Sequence, residues 1–411
     1  MKKLSPRIQP GKDISKHSLQ GFKYFKEILP LLKKHVVTRY HPRRILQAEQ
    51  YISLILFYFF NPRLSSLRGI SQASKLKNLQ KKLDIRATSL SSLSEASEVF
   101  DAQMLEPIIK ELVCRALPMQ TDPLLKDVLQ DIKAVDGSLM EALPKMQWAQ
   151  WLDDQHRAAK LHLVFDIVKG IATDAVVTHG NANEKEIFKT KFLKSDTLYL
   201  LDSGYAMYAL FNDIVLSGSC FVTRLRDNAV FEIIAEKPLL EKDRKAGVIG
   251  DMIVNLGCKQ KKDDYPRPIR LVEIFHKGDE SVRRKSRVSS KKTFRTTDTD
   301  YNFIVATDRM DLPAETIAGL YIYRWQIELF FRLFKHTLGC THLLSLSQNG
   351  ITIQVYCALI ANLFISIWIG GKPTKRTIEM FCFYFMGLAT TKELEEHIKK
   401  QKCKKITGIL E

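Results

Sequence analysis

Residues 317–335 read Ile317-Ala318-Gly319-Leu320-Tyr321-Ile322-Tyr323-Arg324-Trp325-Gln326-Ile327-Glu328-Leu329-Phe330-Phe331-Arg332-Leu333-Phe334-Lys335. The segment is mostly apolar, as a helix packed on a sheet must be. Pro313 just upstream is a natural helix start, so a helix is expected from there to about Thr337. Tyr321, Arg324, Glu328 and Lys335 interrupt the apolar texture at i, i+3, i+7 and i+14. At about 100° per residue these four share one narrow stripe. Arg324 and Lys335 are separated by roughly 16 Å along the axis, which suits two phosphate contacts flanking a carboxylate. The alternative is a snorkelled or solvent-facing stripe with an i,i+4 ion pair between Arg324 and Glu328.

Two aspartates upstream sit in similar settings. Asp136 follows Ile132-Lys133-Ala134-Val135 and precedes Gly137-Ser138, where a core strand is expected to end. Asp202 follows Leu198-Tyr199-Leu200-Leu201 and precedes Ser203-Gly204. Carboxylates at the ends of neighbouring strands converge on one point, as a divalent cation requires. For either residue alone, a strand-terminating Asx turn explains the placement equally well.

The surrounding texture gives an α/β fold class. Strands are expected at 131–135, 159–168, 171–178, 197–201, 220–224, 269–275 and 301–307, with helices between them. Residues 1–120 look all-helical, with segments near 18–37, 45–60, 64–82 and 92–117. Residues 1–50 hold twelve Lys or Arg against three acidic residues, which makes this end a candidate DNA-docking region. The Ser/Thr-capped stretch from Ser65 to Ser94 reads either as a helix-turn-helix module or as a plain helical bundle. Residues 225–300 form a basic, β-rich insertion that carries Arg283, Arg284, Lys285, Arg287, Lys291 and Lys292.

The spacing Tyr321-x2-Arg324-x3-Glu328-x6-Lys335 matches the Y-x2-R-x3-E-x6-K signature of bacterial insertion-sequence DDE transposases with a β-insertion. Asp136-Gly137-Ser138 resembles the first-Asp motif of that family, and Asp202-Ser203-Gly204-Tyr205 resembles the second. The likeness covers roughly residues 130–365. It implies a ribonuclease-H-like catalytic core interrupted by the β-rich insertion, with a helical N-terminal region and a helical C-terminus. The implied domains are a DNA-binding region at 1–120, core at 121–224, insertion at 225–300, core with the Glu-bearing helix at 301–345, and a helical end at 346–411.

The resemblance further implies that Asp136, Asp202 and Glu328 are catalytic and hold two Mg²⁺ or Mn²⁺ ions. Hard cations prefer carboxylate oxygens, and paired ions activate an attacking oxygen and stabilise a leaving one. Tyr321, Arg324 and Lys335 would clamp DNA phosphates, and the basic insertion would hold the transposon end. The implied activity is cut-and-paste transposition: binding terminal inverted repeats, metal-dependent cleavage and strand transfer into target DNA, with a homodimer on DNA. A nuclease of the same fold without strand transfer shares every catalytic residue, and a decayed DNA-binding relative is the non-enzymatic alternative.

Two departures from the family pattern stand out. Ser203 replaces the usual Arg of the second motif, and Trp148, Trp151, Trp325 and Trp368 all lie outside the insertion. A base-stacking role there would fall to Phe275, Phe294 or Tyr265.

Composition agrees with a large, basic, globular chain. Its 411 residues are 45% hydrophobic and carry a formal charge of +18, which favours a polyanionic partner. Seven scattered cysteines without a C-x-x-C pair fit a reducing cytoplasm, and the resemblance to transposases implies association with the nucleoid. No apolar run follows the basic N-terminus, so secretion is not expected. The apolar stretch 351–370 has the length of a membrane span but carries Gln354, Asn362 and Ser366, and reads as a core helix; no membrane partner is expected. His162 and His179 read as packed or surface histidines, His336-x3-Cys340 lacks a second ligand pair, and Gly370-Gly371-Lys372-Pro373 is no P-loop.

Overall fold

The computed structural model describes residues 22–36, 44–61, 64–119, 123–126, 128, 131–151, 153, 156–257, 264–276, 301–337 and 342–407. The strands are β1 (Asp131–Ala142), β2 (Arg157–Asp166), β3 (Ile171–His179), β4 (Thr197–Leu201), β5 (Cys220–Arg224), β6 (Phe231–Glu236), β7 (Val248–Leu256), β8 (Ile269–His276) and β9 (Tyr301–Thr307). They form one nine-stranded sheet in the order β3-β2-β1-β4-β5-β9-β8-β7-β6, with helices before and after it in the chain. By contacts the chain divides into two compact units, one of residues 1–120, 137–182 and 329–411, the other of 121–136 and 183–328.

In the first unit the helix Gln348–Ile369 is the centre, buried along nearly its whole length. It packs on the helices Ala48–Phe59 and Glu106–Arg115 and on β3. This helix is long and apolar enough to cross a membrane, but 94% of its most apolar window is covered by the protein. Its polar residues make internal bonds: Gln348 donates to the Val177 carbonyl at 2.9 Å, Gln354 to the His342 carbonyl at 2.7 Å and Ser366 to the Asn362 carbonyl at 2.9 Å. Asn349 donates to the carbonyls of Ser97 and Phe100 at 2.8 and 2.7 Å. Buried polar groups persist in a core when they are satisfied in this way.

Two expected helices of this unit are split. The 64–82 segment becomes Leu67–Ser74 and Lys77–Leu83, with Leu76 extended between them. Tertiary bonding makes that break: the Ser71 hydroxyl donates to the Thr88 carbonyl at 2.8 Å, and the Thr88 amide donates to the Ser74 hydroxyl at 2.9 Å. The 92–117 segment becomes Leu90–Val99 and Glu106–Arg115, joined by a 3₁₀ turn over Ala102–Leu105. Pro107 lies in the first turn of the second helix, where its missing N–H costs nothing; mid-helix it would clash with the preceding turn.

The second unit is built on the parallel trio β1, β4 and β5 and the antiparallel run β5-β9-β8-β7-β6. Every residue of β4 is buried, as in a parallel strand covered on both faces. Phe211 of the helix Tyr208–Leu216 stacks on Phe221 of β5 at 4.4 Å. Arg270 of β8 and Asp251 of β7 form a buried bidentate pair at 2.8 and 2.7 Å. Edge strand β6 is largely exposed and bears Glu232 and Glu236, charges that discourage further strand pairing.

The helix expected to run unbroken from Pro313 to Thr337 is two helices, Ala314–Tyr323 and Trp325–Thr337, joined at Arg324. There the Arg324 amide donates to the Tyr321 carbonyl and the Ile327 amide to the Arg324 carbonyl, both at 3.2 Å. These are i→i−3 bonds, a local tightening to 3₁₀ geometry. Arg283, Arg284, Lys285, Arg287, Lys291, Lys292 and Phe294 lie outside the described residues.

Candidate active site

The parallel ladder of β1 and β4 runs from Asp131 opposite Thr197 to Ala134 opposite Leu200. Asp136 lies two residues beyond the last residue of β1 paired with β4, and Asp202 directly follows β4, its parallel neighbour. One expectation needs correction: β1 does not end at Asp136 but runs to Ala142. It is β4 that ends, at Leu201, and this leaves Asp136 at the margin of its neighbour's cover.

Asp202 caps a 3₁₀ turn over Ser203–Tyr205. Its Oδ1 accepts from the Gly204 amide at 2.9 Å and its carbonyl from the Thr223 hydroxyl at 3.1 Å. The Asx-turn reading is therefore realised at Asp202. Glycine at 204 gives Asp202 room, because a Cβ there would stand 3.0 Å from Asp202 Oδ1. The Arg226 Nε donates to the Ser203 carbonyl at 3.4 Å, which brings a guanidinium beside the position where the resembled motif usually has Arg.

Tyr205 at the end of the turn is 1% exposed, and its hydroxyl has no hydrogen-bond partner among the described residues. Burial, then the charges of Glu184, Asp136 and Asp202, push its pKa well above the ordinary tyrosine value.

Glu328 is half-buried on the second helix and forms an ion pair with Arg324 at 2.8 Å. Arg324 is 7% exposed, lies over the rings of Tyr321 and Trp325 at 5.6 and 5.5 Å, and has a buried Nε with no hydrogen-bond partner among the described residues. Burial acts to lower its pKa, but Tyr321, Glu328 and Asp136 outweigh burial and raise it. Tyr321 is 8% exposed against Phe303, with ring centroids 5.5 Å apart. The stripe is therefore neither snorkelled nor solvent-facing at Tyr321 and Arg324, although the ion pair of that alternative does form. Lys335 is half-buried, and its Nζ donates to the Leu139 carbonyl.

Among the described residues no group of three or more His, Cys, Asp or Glu side chains is arranged to hold a metal ion. Glu328 is held by Arg324. The set still fits a hard divalent cation in kind, because its donors are carboxylates.

Several site neighbours escaped the sequence reading. Arg224 closes β5, the third parallel strand, and lies over Tyr301 and Phe303 at 5.7 and 5.6 Å. Its end-of-strand position, like that of Asp202, was the available signal. Glu184 had none. Of the proposed stacking aromatics, Tyr265 is corrected: it is 3% exposed and packed edge-on to Phe211 and Phe221, so no base reaches it. Phe275 is 43% exposed. His162 is a core histidine, 1% exposed, with Nε2 2.8 Å from the Thr178 hydroxyl. Burial, helped by Lys160 and His179, brings its pKa down to about 4.

Comparison with known proteins places this geometry in a family. The Sinorhizobium fredii protein named "Putative transposase y4zB" is 28% identical over 212 residues, 51% of this chain and 53% of its own. The Geobacillus stearothermophilus "Probable transposase for insertion sequence element IS5377" is 23% identical over 57% of this chain and 55% of its own. The chain thus spans about half the length of the curated relatives it matches. Among solved structures, a piggyBac transposase synaptic complex with hairpin DNA aligns over 92% of this chain and 78% of its own, at 9% identity and a TM-score of 0.38. Residues 129–364 match the family described as the transposase DDE domain, a span that encloses Asp136, Asp202, Tyr321, Arg324, Glu328 and the buried Tyr205. On that match, which takes in more than half of the chain, the protein belongs to the DDE transposase domain family.

Proposed function

We propose that this protein is an insertion-sequence transposase that binds the terminal inverted repeats of its element, cuts DNA at their ends and joins them to a target. The observation that carries the reading is the placement of Asp136 on β1 and of Asp202 directly after the parallel neighbour β4, inside a matched family span that also holds Glu328. The strand order β3-β2-β1-β4-β5, with β1, β4 and β5 parallel and β2 antiparallel to β3, supports a ribonuclease-H-like core. In this reading residues 225–300 are its insertion and 1–120 its helical DNA-binding region.

Asp136, Asp202 and Glu328 would hold the divalent ions, two Mg²⁺ or Mn²⁺. When bound, such ions activate an attacking oxygen and stabilise the leaving one in an in-line displacement at phosphorus. The chain's own residues orient the substrate. Tyr321, Arg324 and Lys335 complete the signature that the sequence shares with bacterial insertion-sequence transposases. Arg324, already stacked and charged, offers its guanidinium to a phosphate beside the scissile bond, and Glu328 is thereby released from its ion pair. Arg283, Arg284, Lys285, Arg287, Lys291 and Lys292 supply positive charge for the element end. The protein works as a homodimer that pairs two ends, in the cytoplasm beside the nucleoid.

The test is incubation of the purified protein with a labelled duplex bearing one element end and its flank, with Mg²⁺ or Mn²⁺, comparing wild type with Glu328→Gln. Cleavage at the element boundary by wild type alone is the expected result, with joined product when target DNA is added. Cleavage without joining would replace the reading with a nuclease of the same family. Cleavage that survives EDTA would overturn the metal-dependent mechanism.

A further inference from the structure

The helix Ala314–Tyr323 carries Tyr321 and ends at Arg324, yet it begins without a cap of its own. Its N-cap position is Pro313, whose ring offers no acceptor to the amides of the first turn. Those amides have no partner within the helix and need an acceptor from outside. Asp243, on the short helix Glu241–Lys245 of the 225–300 insertion, supplies one: its Oδ1 accepts from the Glu315 amide at 3.1 Å. Its Oδ2 accepts from the Leu240 amide at 2.9 Å, so the carboxylate is held through both oxygens, and the residue is 5% exposed. A carboxylate placed there also meets the positive end of the helix dipole. Lys242, next to it, pairs with the Glu315 side chain at 2.6 Å and offsets the second carboxylate brought to the same place.

A second fastening from the insertion grips the residues just before that helix. Arg270 of β8 is buried and locked onto Asp251 of β7 by two hydrogen bonds. Its Nη1 donates to the carbonyls of Arg309 and Leu312. A buried ion pair is seldom the most stable way to fill a core. What this one provides is a guanidinium of fixed direction, aimed at the turn that leads into the helix. The segment from Arg309 to Glu315 is thereby tied to β7, β8 and the helix Glu241–Lys245.

We propose that the insertion sets the position of the helix bearing Tyr321 and Arg324, with Asp243 as the positioning residue that caps this helix from outside. The proposal rests on the reading of Tyr321, Arg324 and Glu328 as residues of the DNA-cleaving site. Backbone hydrogen bonds hold successive turns of a helix together, so fraying or displacement at Glu315 is felt at Tyr321, under about two turns further on, and at the joint formed by Arg324. A displacement of about 1 Å in a group that orients substrate is enough to slow a reaction ~100-fold.

The experiment compares wild type, Asp243→Ala and Asp243→Asn in the full chain by backbone hydrogen exchange, read by mass spectrometry, and by cleavage of a labelled duplex bearing the element end. Asparagine keeps an oxygen for the Glu315 amide and alanine does not. Asp243→Ala is expected to speed exchange over residues 314–324 about tenfold, with β4 as protected as in wild type. It should lower the cleavage rate at saturating duplex about 10- to 100-fold while leaving the duplex dissociation constant unchanged, and Asp243→Asn should recover both readouts. Wild-type exchange over 314–324 in Asp243→Ala would show that the helix needs no outside cap and would overturn the proposal. Faster exchange with a wild-type cleavage rate would confine Asp243 to stability and equally overturn it, leaving the transposase reading standing. Absence of cleavage by wild type would remove that reading and the positioning role with it. Where Asp243→Ala also loses protection in β4, Asp243→Glu decides, since it keeps the charge and moves the acceptor by one methylene: slowed cleavage with faster 314–324 exchange supports the proposal, and wild-type values overturn it.

Discussion

Arg324 and Glu328 are joined at 2.8 Å, and the burial of the pair is unequal: the arginine side chain is 9% exposed and the glutamate side chain 32%. The cost of breaking such a pair falls on whichever charge is left in the drier place. Glu328→Ala strands a buried guanidinium and is expected to cost about 2–3 kcal/mol, tempered by the nearby charge of Asp136. Glu328→Gln retains an acceptor and should cost about 1 kcal/mol. Arg324→Met leaves a carboxylate that water still reaches and should also cost about 1 kcal/mol. Urea unfolding in EDTA orders the three; equal stability of Glu328→Ala and wild type would mean that the pair contributes nothing without substrate.

The turn after β4 separates the structural task of Asp202 from its chemical one. Asparagine caps a turn as well as aspartate does, so Asp202→Asn should leave the melting temperature within a degree or two while abolishing cleavage. Asp202→Ala loses the cap as well and should cost about 1 kcal/mol more. Gly204→Ala tests the same carboxylate from outside, since its Cβ would press on Oδ1 from 3.0 Å. Cleavage is expected to fall at least tenfold in a protein that still folds, and full activity would show that the carboxylate position tolerates displacement.

Seven of the nine described strands were legible because their signal is local, whereas β6 and β7 were anticipated only as part of a β-rich insertion. Runs such as Leu198–Leu201 and Phe221–Val222 are buried outright, and apolar β-forming runs of that length have few other uses. Helix continuity was not legible at Ser74 or Arg324, where tertiary bonds and local tightening set the breaks, although Pro107 was a visible cue for a third. Asp202 does follow a strand, as its flanking sequence indicates, whereas Asp136 lies inside β1, which Gly137-Ser138 does not end. The state of the site could not be read. Burial of Arg324 and its lock on Glu328 depend on what covers the helix, and the packing of Tyr205 on Phe188 joins two segments that no spacing connects.

Lys335 carries a prediction that distinguishes anchoring from phosphate binding. Its Nζ donates to the carbonyl of Leu139 on β1, so Lys335→Ala removes an internal contact as well as a positive charge. If the charge also meets DNA, the slope of log binding constant against log salt should shrink by about 1, and affinity should fall for all sequences alike. Lys335→Arg should restore the slope. An unchanged slope in Lys335→Ala would confine the residue to bracing β1.

His162 makes stability depend on pH in a defined window. Its folded-state pKa of about 4 lies below the ordinary histidine value of 6.5, so between those values the unfolded chain binds a proton that the folded one refuses. The contribution is complete above pH 6.5 and is lost as the pH falls toward 4. At full size it amounts to about 3 kcal/mol, taking 1.4 kcal/mol per pKa unit. The midpoint of urea unfolding should therefore fall between pH 7 and pH 4.5 by more in wild type than in His162→Gln, whose amide can still reach the Thr178 hydroxyl without gaining a charge. Identical pH profiles for the two proteins would show that His162 does not set the acid limb.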